Sequence, residues 1–114
     1  MEIKRRLHKD KWTIKVVSTK QITKETDDKD SETQGLCDSA EKIIWIRKDC
    51  VRYDIIAHEI FHAYWSYLHL EDTSNIELSD LEEIGANFFA ANGEEMVRKA
   101  KRITKDLQKM MENE

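Results

Sequence analysis

The sequence predicts an α+β domain: a small N-terminal sheet, antiparallel or mixed and about three strands wide, packed on two or three C-terminal helices. Three observations carry this reading. Apolar and polar residues alternate over positions 11–18, and apolar residues crowd together over 42–47, both of which are strand patterns. From residue 49 onward the apolar side chains recur every three or four positions, the period of a helix. Proline is absent and glycine occurs only three times, so few positions are available to break the elements. A chain of 114 residues has room for one ordinary domain with one core.

Taken in order, residues 11–18 point Trp12, Ile14 and Val16 inward and Thr13 and Lys15 outward, as a half-buried strand does. Residues 24–35 hold no apolar anchor and read as a solvated loop or long hairpin tip. Residues 36–38 are expected to add a short strand, and the run Ile43, Ile44, Trp45, Ile46 predicts a strand covered on both faces. These form a strand-rich part over 1–48. A helix capped by Asp49 or Asp54 then carries Ile55, Ile56, Ile60, Phe61 and Tyr64 and fades after His69. A second helix is expected near Ser79, which stands three residues before Glu82 as in a capping box, and to end about Asn92 with Gly93 as its stop. Residues 94–114 form an amphipathic helix with Met96, Ala100, Ile103, Leu107 and Met110 on one face. That stripe is expected to pack on the domain's own core, with pairing to a second copy as the alternative, so that the chain is a monomer or a homodimer through this helix.

Composition narrows the partners. Nineteen Lys and Arg against 23 Asp and Glu leave a net charge of −4, which argues against direct nucleic-acid binding. No apolar stretch approaches the length of a membrane span, and the basic N-terminus lacks the apolar run of a signal peptide, so a cytoplasmic protein is expected. Cys37 and Cys50 are then expected to be reduced and structural.

The stretch "DIIAHEIFHAYW" carries the chemistry. His58 and His62 share a helix face, so both imidazoles can reach one ion at about 2.0–2.1 Å. Glu59 is rotated about 100° from His58, beside the ion rather than on it, where a carboxylate can act as general base. This is the HExxH arrangement of zinc peptidases. Two imidazoles and a carboxylate in one turn of an apolar helix would be costly to bury as ordinary core groups, and a dication satisfies all three. Zinc is the expected metal.

A third protein ligand is needed. Trp65 and Leu68 stand where a three-histidine continuation requires glycine and histidine, and His69 misses by one residue and reads as a surface residue. The following helix offers Glu82 and Glu83, with Gly85, Ala86 and Ala90 as small residues that would allow close approach. An acidic pair at a helix start also suits the helix dipole, so one of the two glutamates can face inward and the other outward.

"IIAHEIFHAY" followed by "LEEIGANFFA" resembles the HExxH helix and the later ExxAN-x-FA helix of the ImmA/IrrE-type zinc metallopeptidases of bacteria and their prophages. The likeness extends over the strand pair that includes "GLCD" and "KIIWI", so it covers residues 35–92. It implies a minimal zincin-like domain in which residues 49–93 form a two-helix zinc site. One Zn2+ is then held by His58, His62 and Glu83, and Glu59 is the catalytic base of a gluzincin-like peptidase. Glu82 then faces away or stands behind the ligands, and Tyr64 and Tyr67 become candidates for oxyanion donors. The implied partner is a protein or peptide substrate laid as a strand beside residues 36–38, and the alternative is a zinc-binding accessory or interaction protein without catalysis.

Overall fold

The alternation over residues 11–18 becomes an inner strand of a four-stranded sheet. The computed structural model describes residues 1–26, 33–70 and 73–114. Its strands are β1 (Glu2–Leu7), β2 (Asp10–Val17), β3 (Gly35–Asp38) and β4 (Ile43–Arg47), and its helices are α1 (Thr19–Thr26), α2 (Tyr53–Trp65) and α3 (Leu78–Glu112). Short 3₁₀ turns occupy Lys48–Cys50 and Ser66–Leu68. The sheet runs β1-β2-β4-β3, with β1 antiparallel to β2, β2 parallel to β4 and β3 antiparallel to β4. This is the expected α+β architecture with a mixed sheet, one strand wider than anticipated.

The extra strand is β1. Ile3 and Leu7 turn into the core, but Lys4, Arg5 and Arg6 lie between them and mask the alternation. Its hairpin to β2 turns through His8, which holds the left-handed φ of 60° usually left to Asn or Gly, so the usual turn signal is missing. The cover predicted for both faces of β4 is present. Ile44 and Ile46 belong to the main core with α2 and α3, while Trp45 joins Val17 and Ile22 in a second cluster beneath α1. That helix corrects the start of the expected loop. Its first turn is capped by Ser18, whose Oγ accepts from the Gln21 backbone N–H at 3.2 Å, and its anchor is a fully buried Ile22. Residues 27–32 of the expected loop lie outside the described residues.

On α2, Ile56, Ile60, Ala63 and Tyr64 are buried against the sheet and α3, whereas Ile55 is half-buried and Phe61 is 42% exposed. Neither proposed aspartate caps this helix. Its N-cap is Arg52, while Asp49 accepts from Arg47 Nε at 2.6 Å and Asp54 from Arg52 Nε at 3.3 Å. The Cys37 and Cys50 thiols are both free. Among the described residues, no helix is long and apolar enough to cross a membrane.

The largest departure is α3. The two helices expected on either side of Gly93 are one helix of 35 residues, and it begins at Leu78 after Glu77, without the Ser79 capping box. Gly93 does not take the positive φ that a left-handed stop uses, so the helix passes through it. The C-terminal half buries Ala100, Ile103, Thr104 and Leu107, and is tied to β1 by Arg5 Nη2–Asp106 Oδ2 at 3.2 Å and to the Val51 carbonyl by Gln108 Nε2 at 3.1 Å. The expected packing of the 94–114 stripe on the domain's own core therefore holds at Ala100, Ile103 and Leu107, while Met96 is half-buried and Met110 is 37% exposed.

Gly93→Ala separates a continuous helix from a stopped one. At a left-handed stop alanine would destabilise the fold, but inside α3 it is expected to stabilise by about 0.5–1 kcal/mol, read from the urea midpoint. The added Cβ would meet the Phe89 ring at 3.0 Å, and that side chain is 69% exposed and free to swing aside.

Candidate metal centre

The inward face of α2 decides where its polar residues go. With Ile56, Ile60 and Ala63 buried, the helical rotation leaves His58 and His62 on an accessible flank. The His58 side chain is 67% exposed. Its Nε2 lies 3.2 Å from His62 Nε2, with the rings at 74° to each other. Two nitrogens sharing a tetrahedral ion at about 2.0–2.1 Å stand about 3.3 Å apart, so the imidazoles already hold the spacing that a common ion requires. Burial, and then the neighbouring His58 charge, lower the His62 pKa and favour the neutral ring, which is the ligand form.

Glu59 turns the other way, under the start of β3. It is 6% exposed, and its Oε2 lies 4.0 Å from His58 Nε2. A Cβ on Gly35 would stand 3.0 Å from both Cγ and Oε2 of Glu59, so only glycine leaves room for the carboxylate at this strand end. Burial pushes the Glu59 carboxyl above its usual pKa, with His58 pulling in the opposite direction. Cys37 lines the same cavity, and burial together with Glu59 and Asp38 pushes its thiol up to about 12, so it stays protonated. Gly35 and Cys37 were not singled out for the site from the sequence. The available signal was that Gly35 is the sole glycine before residue 85 and opens a strand.

The structure does not gather the expected third ligand. Among the described residues, no group of three or more His, Cys, Asp or Glu side chains is assembled to hold a metal ion. Glu82 and Glu83 are both exposed on α3. The reason lies in Phe88, the one large side chain that the first half of α3 buries. It packs edge-on against Phe61 and Trp65 at 5.5 and 5.0 Å, and Glu83 sits about 140° around the helix from it. The small residues follow the same rotation. Ala86 and Ala90 are exposed, and a Cβ on Gly85 would meet nothing within 4 Å, so they do not bring α3 close to α2 as expected.

Neither candidate oxyanion donor, Tyr64 or Tyr67, lines the cavity that holds His58, Glu59 and His62. Tyr64, two residues beyond His62 and about 200° around α2, is buried against His8. Burial is the main reason its pKa rises to about 12. Tyr67 donates to Asp10 Oδ2 at 2.7 Å and accepts from Trp12 Nε1 at 3.1 Å. His69 ends the turn after α2 with a φ of 54° and is exposed, as the sequence suggested.

A trough runs along β3, the edge strand of the sheet. Its middle is a cavity of about 440 Å³ lined by Gly35, Leu36, Cys37, His58, Glu59 and His62. A cavity of about 320 Å³ bordered by Gln34, Asp54 and Ile55 adjoins one side, and one of about 460 Å³ bordered by Trp12, Lys42, Tyr67 and His69 adjoins the other. Comparison with protein-family models, curated proteins and solved structures finds no match to the chain.

The two pKa shifts have opposite consequences for the metal-free protein. Folded Glu59 holds its proton above 4.5, where the unfolded chain has lost it, so its ionisation costs stability as the pH rises through its raised pKa. Glu59→Gln is therefore expected to be more stable than the parent near neutrality, with the gain vanishing as the pH falls toward 4.5. Folded His62 binds its proton less readily than the unfolded chain, so stability should fall as the pH drops through 6.5. Urea unfolding in chelator across this range measures both.

Proposed function

We propose that the protein is a zinc-dependent metallopeptidase of the ImmA/IrrE-like kind, a bacterial or prophage regulatory protease that acts on a protein or peptide in the cytoplasm. The observation that carries this reading is the pairing of His58 and His62 Nε2 atoms 3.2 Å apart with a buried carboxylate, Glu59, beside them. The two imidazoles fit a shared ion in spacing. When bound, zinc would supply Lewis acidity toward a carbonyl oxygen and a lowered pKa for water. Glu59 would take the proton of the attacking water and deliver it to the leaving amine, and a carboxyl already raised by burial is suited to both transfers. The outer edge of β3, unpaired among the described residues, offers backbone groups to an extended peptide, which would then lie in the trough beside the histidines. Glu83 is the third ligand that the resemblance implies, and reaching the pair would require the first half of α3 to turn.

A second reading, a zinc-binding interaction protein without hydrolytic chemistry, is favoured by the separation of Glu83 from the histidines. Glu59→Gln distinguishes the two. A peptidase is expected to keep about one equivalent of zinc in this variant and to lose at least about 100-fold in cleavage of a proteome-derived peptide library. His58→Ala and His62→Ala are expected to lose the metal, measured by elemental analysis after metal-sparing purification. Zinc below about half an equivalent in the parent protein would overturn both readings.

A further inference from the structure

The outer face of the sheet is unevenly covered. α1 rests on β4 and β3, where Ile22 packs with Trp45 and Val17. Beside it, the outward residues of β1 and β2 are Glu2, Lys4, Arg6, Lys11, Thr13 and Lys15, because Ile3, Leu7, Trp12 and Ile14 take the inward positions. Lys4, Arg6 and Lys11 are exposed and Lys15 is half-buried. The register sets Arg6 directly opposite Lys11, Lys4 opposite Thr13 and diagonal to both Lys11 and Lys15, and Glu2 opposite Lys15. Among the described residues, none of these four cations is held in an ion pair.

Like charges directly opposite one another weaken a strand pair, so this arrangement costs the sheet stability that alternating signs would have provided. The net charge of −4 is an average over unequal parts. Residues 1–17 carry six basic and two acidic side chains, net +4, and the other 97 residues carry 13 and 21, net −8. An anionic occupant turns the local repulsion into binding. Its chemistry follows from what the strip lacks. Short of Val17, which α1 covers, no apolar or aromatic side chain faces outward from β1 or β2. The strip therefore offers no buried anchor for a protein partner, no apolar face to enter a bilayer and no platform for stacking bases. What remains is positive charge around the Thr13 hydroxyl, the groups that hold the phosphates of a nucleic-acid backbone. The cations stand in two rows on strands about 4.8 Å apart. That separation suits the two phosphate rows bordering the minor groove of B-form DNA, about 6 Å wide, whereas the minor groove of an RNA duplex is wide and shallow. We infer that the outer face of the β1–β2 hairpin binds the phosphate backbone of duplex DNA, without reading its sequence, through Lys4, Arg6, Lys11 and Lys15. This face is opposite the one on which α2 sets His58 and His62, so the inference does not depend on the peptidase reading.

The test is fluorescence anisotropy of a labelled DNA duplex of about 20 base pairs, titrated with the metal-free full chain between about 25 and 200 mM salt. Four neutralised phosphates predict a slope of log affinity against log salt of about −3.6, the same for duplexes of unrelated sequence. Lys4→Gln, Arg6→Gln, Lys11→Gln and Lys15→Gln should each make that slope shallower by about one. The four together should weaken binding by at least about 30-fold at about 50 mM salt, with the circular dichroism unchanged. Lys11→Gln is expected to raise the urea midpoint as well, since its opposition to Arg6 is relieved. Lys20→Gln with Lys24→Gln, on α1 and off the strip, should leave the slope as it was. A parent chain that fails to bind at about 1 mM in low salt would overturn the inference, because sequence-independent DNA binding has a Kd of about 10⁻⁴–10⁻⁶ M. So would a slope indifferent to the four substitutions, or tighter binding to an RNA duplex or to phosphatidylserine vesicles than to the DNA.

Discussion

The arrangement of the site depends on the clamping of α2 between the sheet and α3. Ile56, Ile60 and Ala63 turn inward, and burying each isoleucine contributes about 1.5–3 kcal/mol. Once that face is set, the 100° step of the helix leaves no freedom to the residues between. His58 and His62 emerge together on the flank, and Glu59 is carried beneath the end of β3. The hydrophobic contacts therefore orient the polar groups, and the 3.2 Å approach of the two imidazoles follows from packing that neither of them makes.

Glu59 shows what that clamping costs. A carboxylate 6% exposed, with a glycine backbone pressed against it and His58 Nε2 4.0 Å away, is destabilised in its charged form. A fold selected for stability alone would put an apolar residue there. Groups with pKa values shifted by burial beside a cleft gather where chemistry is done, which is the physical content of reading Glu59 as a base. On that reading, an extended peptide would lie in the trough beside β3, the edge strand of the sheet.

The long helix α3 has a different logic. Its second half completes the core, and the large side chain that its first half buries is Phe88, set against Phe61 and Trp65. That one aromatic contact selects the rotation of the half-helix, turning Glu83, Ala86 and Ala90 outward and leaving Phe89 beside an open notch.

What the sequence determined by itself were the features that local periodicity encodes. The strands β2 and β4, the cover on both faces of β4, the helix α2, and the pairing of His58 with His62 beside Glu59 were all legible, because spacing along a regular element fixes which side chains share a face. β1 was hidden by three consecutive basic residues, and α1 by burying only Ile22 among its described side chains. Tertiary structure alone decided the rest. That Gly35 abuts Glu59, that α3 runs unbroken through Gly93, and that Phe88 rather than Glu83 faces α2 all depend on contacts between residues far apart in the chain. Where such packing offers more than a single glycine or a capping pattern can withhold, it overrides the local signal.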